Sequence, residues 1–131
     1  LINDNIEFIY NYDENIEISV YDTELMQVIL NILKNAQDNF KEKNIKNPYI
    51  KITTKKNILT ICDNGGGIDD DCISKIFDPY FSTKEEKNGT GLGLYMSKLI
   101  IEDHHKGTLH VANDDIGACF TIDLSSDTFK K

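Results

Sequence analysis

Two asparagines on one predicted helix form the first pattern that could do chemistry. Asn31 and Asn35 lie four residues apart in the segment QVILNILKNAQDNF, so they share one face of the helix. Asparagine is a poor helix former, and an amide oxygen can ligate a hard cation such as Mg²⁺. The pair is therefore a candidate cation site; taken alone, the favoured alternative is that both side chains simply hydrogen-bond neighbouring elements.

The second pattern is a carboxylate followed by glycines. Asp63 ends a mostly apolar run, and Gly65, Gly66 and Gly67 follow it in DNGGGI. A carboxylate at the rim of a core needs a donor; the exocyclic amine of adenine is one, whereas guanine has an oxygen there. Glycines let the backbone turn and approach a ring closely. The alternative is a plain turn between two strands.

A further glycine run, GTGLGL from Gly89 to Leu94, leads into a predicted helix. The chain has no G-x-G-x-x-G directly after a strand and no G-x-x-x-x-G-K-[ST], which argues against a dinucleotide fold and a Walker ATPase. Exposed N–H groups at a positive helix terminus favour a triphosphate, and Thr90 adds a hydroxyl. This run therefore predicts a phosphate site.

The segment from Pro79 to Thr90, PYFSTKEEKNGT, is polar, charged and longer than most connections. Such segments are often mobile lids over a ligand. Phe77 either anchors this lid or packs in the core, with core packing favoured, and Lys84 either reaches a phosphate oxygen or belongs to a solvated charge run. Together, the clusters indicate a nucleotide site.

Length and charge limit the number of domains and the kinds of partner that the chain can have. With 131 residues and 40% hydrophobic content, the chain fits one domain, residues 1–131. The net charge of −8 argues against a nucleic-acid partner. The chain begins at Leu1 without an initiator Met, which suggests a fragment of a longer protein, and no apolar stretch approaches the ~18 residues of a membrane span. We expect no direct membrane contact by this segment, with any sensor or membrane anchor outside it.

Three cysteines, Cys62, Cys72 and Cys119, are odd in number and lack C-x-x-C spacing. This pattern supports neither a disulfide framework nor a zinc site. We expect buried or free thiols in a reducing compartment, which is consistent with a cytoplasmic location.

The periodicity of apolar residues predicts the elements that hold these clusters. A helix should follow Asp22 and run until Asn47-Pro48, and another should follow Leu92 and end at the cations and glycine of His104 to Gly107. The other predicted elements are strands near Ile6–Tyr10, Ile16–Val20, Tyr49–Lys55, Ile58–Asp63, Thr108–Ala112 and Cys119–Leu124, and a short helix at Asp69–Ile76. This order predicts an α+β two-layer sandwich, a mixed and mostly antiparallel sheet covered on one face by about three helices.

Four motifs in this order resemble the ATP-binding catalytic domain of sensor histidine kinases, in the superfamily that includes gyrase-type topoisomerases, heat-shock chaperones and mismatch-repair ATPases. NILKNAQD resembles the N box, DNGGGI the G1 box, IFDPYFSTK the F box and GTGLGL the G2 box. The resemblance implies the Bergerat-type ATP-binding fold, ATP and Mg²⁺ as ligands, and phosphoryl transfer to a histidine. It also implies partners, namely the phosphoacceptor helix of the same full-length protein and a downstream response regulator.

The resemblance also assigns residues. Asn35 would hold Mg²⁺, Asp63 would select adenine, and Asn31 and Asn35 would form the catalytic pair. The predicted nucleotide-binding set is Asn35, Asp38, Asp63, Gly65, Gly67, Ile68, Phe77, Lys84, Gly89, Thr90, Gly91, Leu92, Gly93 and Leu94.

Three features depart from the family pattern or refine it. Many histidine kinases carry a basic residue where this chain has Asp38, a variant that resembles the nitrogen-regulation subgroup, and Lys84 could supply the missing charge. The hydrolytic relatives carry a glutamate general base where this chain has Asn31, which predicts slow or absent hydrolysis. None of the histidines His104, His105 and His110 resembles the phosphoacceptor, so the chain should not phosphorylate itself.

Three functional classes fit the sequence. The first is the catalytic part of a histidine autokinase, and the second is a serine/threonine kinase of the same fold, such as an anti-sigma switch protein. The third is a non-catalytic module that senses nucleotides. The long lid favours the first.

Overall fold

The computed structural model describes residues 5–12, 23–81 and 93–124. The predicted strand near Ile16–Val20 and the predicted helix cap Asp22 lie outside these residues. The strands are β1 (Glu7–Asn11), β2 (Tyr49–Lys55), β3 (Ile58–Asp63), β4 (Thr108–Asn113) and β5 (Ala118–Asp123); the helices are α1 (Thr23–Lys43), α2 (Asp70–Ile73) and α3 (Gly93–Leu99), which continues as a π-helical turn (Ile100–His104).

The five strands form one sheet in the order β1-β2-β3-β5-β4. β1 pairs with β2 in parallel, and the other three pairs are antiparallel. The predicted α+β fold with a mixed, mostly antiparallel sheet is confirmed. β3 is the central strand and is paired on both sides by β2 and β5. Asp63 is its last residue, so this carboxylate lies at the end of the central strand.

The core lies between the sheet and the helices α1 and α3, the latter with its π-helical continuation. One stripe of α1 is buried because its apolar residues recur every three or four positions, and the strands alternate buried with partly exposed residues. Each large apolar side chain that is fully buried here contributes about 1.5–3 kcal/mol relative to exposure. The buried residues of the stripe are Leu25, Val28, Ile32, Ala36 and Phe40. Within the described ranges, no helix is both long and apolar enough to cross a membrane.

The C-terminus of α1 lies earlier than the sequence predicted. The helix ends at Lys43 rather than continuing to Asn47-Pro48. Asn44 adopts φ 54° and the N–H of Ile45 donates to the carbonyl of Phe40 at 3.0 Å. A left-handed residue directly after the last turn is a common helix terminator, and asparagine is among the few residues that tolerate it.

A different residue from the predicted glycine terminates the segment that follows α3. Lys106, with φ 59°, adopts the left-handed conformation, and the N–H of Gly107 donates to the carbonyl of Ile101 at 2.9 Å. Gly107 is required for another reason, because a Cβ there would collide with the backbone carbonyl of Asp123. The glycine thus allows close packing against β5.

The expectation of free thiols is wrong for two of the three cysteines. Cys62 on β3 and Cys119 on β5 face each other in the antiparallel register and form a disulfide, whereas Cys72 is free. Their sequence separation of 57 residues gives no indication of this pairing, because strand register is not visible in cysteine spacing.

Candidate functional site

Four polar side chains continue along one face of α1 at intervals of four residues: Asn31, Asn35, Asn39 and Lys43. We call them the polar stripe. They lie beside the buried stripe, and at a rise of 1.5 Å per residue they extend over about 18 Å. The two ends of the polar stripe contact two different parts of the chain.

Asn31, at the first end, joins α1 to the start of α3. Its Nδ2 donates to the carbonyl of Gly93 at 3.3 Å and to Oγ of Ser97 at 3.1 Å, while its Oδ1 accepts from Gln27 at 3.1 Å. The alternative reading of a structural asparagine therefore describes what Asn31 contacts here. Its hydrogen bonds hold the last glycine of GTGLGL against α1.

The other end of the polar stripe holds the glycine loop after β3. Asn39 Nδ2 donates to the carbonyl of Gly65 at 2.9 Å. Lys43 Nζ donates to the carbonyls of Gly65 at 3.1 Å and Gly67 at 2.9 Å. Asn39 and Lys43 were not predicted from the sequence, although both continue the four-residue spacing of Asn31 and Asn35.

Asn35 lies between these two ends. Its side chain is half-buried and makes no hydrogen bond with any other described residue. An uncommitted amide at a partly buried position is suited to ligate a cation. Asp38, one turn further, lies 3.7 Å from Nζ of Lys34, an i, i+4 ion pair between an exposed lysine and a partly buried aspartate. Such helical pairs contribute only about 0.3–0.5 kcal/mol.

Asp63 is the buried carboxylate of the site, with 7% of its surface exposed. Its Oδ1 accepts from the N–H of Gly65 at 2.8 Å and from the N–H of Ala118 at 3.4 Å. The structure shows no hydrogen bond from any described residue to Oδ2. Two backbone donors thus fix the orientation of the carboxylate, and Oδ2 can accept from a ligand.

Burial raises the pKa of Asp63 above its usual range. The N–H groups of Gly65 and Ala118 and the charge of Lys43 oppose this rise, and the charge of Asp114 adds to it. Burial is the largest cause, because the ionised carboxylate loses solvation free energy when it is removed from water. A hydrogen bond donated to Oδ2 by a ligand would partly offset this loss.

The glycine loop needs the conformations that only glycine adopts readily. Gly66 has φ 87° and Gly67 has φ 85°. The N–H of Gly66 donates to the carbonyl of Ile116, in the turn between β4 and β5, at 2.9 Å. The predicted role of these glycines in turning the backbone agrees with this geometry.

Asn113, at the end of β4, holds the residue after the loop. Its Oδ1 accepts from the N–H of Ile68 at 2.9 Å and its Nδ2 donates to the carbonyl of Ile68 at 2.7 Å. The side-chain amide therefore pairs with Ile68 as a neighbouring strand would. No sequence pattern pointed to Asn113, since this contact joins residues 45 positions apart.

The substitution Gly67→Ala should destabilise the fold by about 1–3 kcal/mol, because alanine strains the backbone at positive φ. A Cβ on Gly67 would also lie 2.9 Å from Oδ1 of Asn113. Gly93→Ala is the matched control, since its Cβ would approach no described atom more closely than the Cγ of Asn31 at 3.8 Å. Urea denaturation measures both; equal stability of the two variants would contradict the strain argument.

The remaining predicted residues fall into two groups. Phe77 is partly buried and packs edge-on against Phe120 with ring centroids 6.3 Å apart, under Nζ of Lys98, so the core-packing alternative describes its contacts. Ile68 packs against the core and Leu94 belongs to it. Lying outside the described residues are Lys84, Gly89, Thr90, Gly91 and Leu92.

Comparison with known proteins identifies this arrangement. The profile of the family described as "Histidine kinase-, DNA gyrase B-, and HSP90-like ATPase" matches residues 11–128. The nucleotide-free catalytic domain of histidine kinase ThkA superposes with a TM-score of 0.71 at 34% identity, covering 89% of this chain and 78% of that domain. The chain belongs to this family, as a histidine kinase catalytic domain. Both the predicted family and the predicted ATP-binding kinase class are confirmed.

Among curated proteins, this histidine kinase catalytic domain is similar to parts of longer sensor kinases. It is 39% identical to the signal transduction histidine-protein kinase AtoS of Escherichia coli over 91% of the chain, and 33% identical to an NtrY-like sensor histidine kinase of Rickettsia bellii over 95%. The domain spans about 20% of the length of each. A mycobacterial sensor histidine kinase, MprB, shares the fold with a TM-score of 0.65 at 22% identity.

Proposed function

We propose that this domain binds Mg-ATP and donates the γ-phosphoryl group to a histidine on a separate dimerisation domain of the same full-length protein. It would thereby act as the catalytic part of a two-component sensor kinase, with a response regulator as the next acceptor. The polar stripe carries this proposal, because one helix face contacts the adenine-side loop at Gly65 and Gly67 and the phosphate-side segment at Gly93. Asn35 lies between these contacts.

At the adenine end, Asp63 provides the selectivity. Its Oδ1 is engaged by two backbone N–H groups, so a ligand meets Oδ2. Oδ2 would accept from the exocyclic amine of adenine, whereas the carbonyl oxygen of guanine would leave a buried carboxylate facing another acceptor. Lys43 and Asn39 hold the loop that borders this pocket.

At the phosphate end, Asn35 fits Mg²⁺. Mg²⁺ takes one or two protein oxygens and completes its shell with water and phosphates, and the Asn35 amide is half-buried and makes no hydrogen bond within the described residues. The metal would neutralise charge that develops on the phosphates. The glycines at positions 89, 91 and 93 would bind the phosphates through backbone N–H groups, with Thr90 and Lys84 as further donors.

The residue at position 31, Asn31, affects whether the phosphoryl group is transferred to water or to a histidine. Its amide is committed to Gly93 and Ser97, and an amide cannot accept a proton usefully. Water near the γ-phosphate would therefore lack a general base at this position. We infer that hydrolysis is slow and that the phosphoryl group is kept in position for an external histidine.

Nucleotide affinity should depend on pH through Asp63. Only the ionised carboxylate offers two acceptors, and burial raises its pKa, so binding should weaken as pH falls into a window above the ordinary aspartate value of about 3.9. A raised pKa also means that the folded state favours the protonated carboxyl. Ionisation of Asp63 therefore lowers the free energy of unfolding as pH rises through that window. Asp63→Asn removes the titration but retains the side-chain size. Identical pH profiles of binding for the wild type and Asp63→Asn would contradict this account.

Phosphotransfer tests the proposal directly. The domain is mixed with γ-labelled ATP, Mg²⁺ and the dimerisation fragment of its full-length protein. We expect acid-labile, base-stable label on the fragment, and hydrolysis by the domain alone slower than ~1 per second, the lower limit of common enzyme turnover. Label on serine or threonine, turnover at or above that rate, or nucleotide binding without any transfer would each refute it.

A further inference from the structure

The disulfide partners lie beside a carboxylate. The sulfur atoms of Cys62 and Cys119 and a carboxylate oxygen of Asp114 all lie within 4.8 Å of one another. Both cysteines are half-buried, and they alternate along β3 and β5 with the buried residues Ile61 and Phe120. They therefore lie on the sheet face opposite α1, and Asp114 approaches them from the turn between β4 and β5.

The spacing matches that of ligands on a single ion. Zinc binds thiolate sulfur at about 2.3 Å and carboxylate oxygen at about 2.0–2.2 Å, so two such ligands at neighbouring tetrahedral corners lie about 3.5 Å apart. Oδ2 of Asp114 lies 3.5 Å from Sγ of Cys119. Two sulfurs on one ion would lie about 3.8 Å apart, which requires that the bond between Cys62 and Cys119 be reduced first.

Asp114 is already oriented for this role. Its Oδ1 accepts from the N–H of Ile116 at 3.0 Å and from the N–H of Gly117 at 2.9 Å. These bonds fix the carboxylate and direct Oδ2 towards Cys119. The turn thus positions an anionic oxygen beside the sulfurs before any metal binds, as hydrogen bonds to metal ligands do generally.

We propose that the reduced pair Cys62 and Cys119, together with Asp114, binds a thiophilic divalent cation such as Zn²⁺. A dithiol reductant first transfers two electrons and two protons to the disulfide and itself becomes a disulfide. The cation then displaces both thiol protons, so that two thiolates and one carboxylate bind it and water completes the shell. The cysteine spacing argued against a zinc site, but the strand register creates one. The proposal does not rest on nucleotide binding.

Cobalt(II) is the probe, because sulfur ligation gives near-ultraviolet charge-transfer bands and tetrahedral geometry gives strong visible bands. The 131-residue chain is reduced with a phosphine, freed of metal and titrated with Co²⁺, and Zn²⁺ should then displace the cobalt at one ion per chain. The same chain oxidised by glutathione disulfide should show neither band. Asp114→Asn preserves the acceptor for the turn and should weaken binding by about 100-fold or more, since even groups that only hydrogen-bond to a metal ligand contribute about 10–100-fold.

The free cysteine provides the matched control. Cys72→Ser should bind Co²⁺ as the wild type does, whereas Cys119→Ser should lose the charge-transfer bands; circular dichroism verifies that both variants are folded. The proposal is overturned if the reduced wild type shows no sulfur-to-cobalt bands. It is equally overturned if Cys119→Ser or Asp114→Asn binds as tightly as the wild type, or if Cys72→Ser abolishes binding.

Discussion

Replacing Asp63 with alanine should weaken binding of a non-hydrolysable ATP analogue by about 1–3 kcal/mol or more, which is about 5- to 160-fold in Kd. The variant loses the acceptor Oδ2, and it also leaves the N–H groups of Gly65 and Ala118 without their shared acceptor. Asp63→Asn separates these effects, because it can still accept from both N–H groups through Oδ1. We expect it to fold like the wild type and still to bind weakly.

The control for this comparison is Asp115→Ala. Asp115 is exposed and lies in the turn between β4 and β5, so it matches Asp63 in charge but not in position. Calorimetric titration of all the variants, with circular dichroism to verify folding, gives the comparison. If a folded Asp63→Ala or Asp63→Asn bound the analogue as tightly as Asp115→Ala, the adenine role of Asp63 would be wrong.

Replacing Asn35 with alanine should abolish the increase in nucleotide affinity that Mg²⁺ produces. The rate of phosphotransfer to the acceptor fragment should fall by about 100- to 1,000-fold, the usual cost of removing one group that stabilises charge in a transition state. Affinity for the nucleotide without Mg²⁺ should change little, because Asn35 contacts neither the glycine loop nor α3 through a described hydrogen bond. The measurement is nucleotide affinity with and without Mg²⁺, followed by single-turnover transfer.

Asn57→Ala is the matched asparagine control for Asn35. Asn57 is exposed in the turn between β2 and β3, at the end of the sheet remote from Asp63. It should retain the full Mg²⁺ effect and the full transfer rate. An Asn35→Ala variant whose nucleotide affinity still rises with Mg²⁺ as much as that of Asn57→Ala would remove Asn35 from the metal site.

The elements around the site could be predicted where local chemistry defines them. β2 and β3 have the predicted bounds, because alternating apolar residues end at the turn formed by Lys56 and Asn57. Helix ends were harder, because Asn44 and Lys106 end their segments in left-handed conformations that many sequences could adopt at other positions. Local sequence patterns therefore predict the bounds of a strand better than they predict the last turn of a helix.

The residues of the candidate site also divide into those that the sequence predicted and those that it did not. The strand end at Asp63 and the turn at the glycines could be predicted, because an apolar run followed by an aspartate and three glycines marks where a strand ends; their role in adenine binding stays a prediction. Asn39, Lys43 and Asn113 were missed because they donate to or pair with backbone groups 22 to 45 residues away, and residue types carry no information about such backbone contacts. The disulfide between Cys62 and Cys119 was missed for a related reason, since it depends on strand register.

One measurement tests the central claim, that this domain is built around an adenine nucleotide. The purified wild-type chain is titrated calorimetrically with non-hydrolysable analogues of ATP and of GTP, each with Mg²⁺. The account predicts saturable binding of one ATP analogue per chain, and binding of the GTP analogue weaker by about 1–3 kcal/mol or more, because guanine cannot donate to Oδ2 of Asp63 at that position. Equal affinity for the two analogues, or no binding of either, would contradict it.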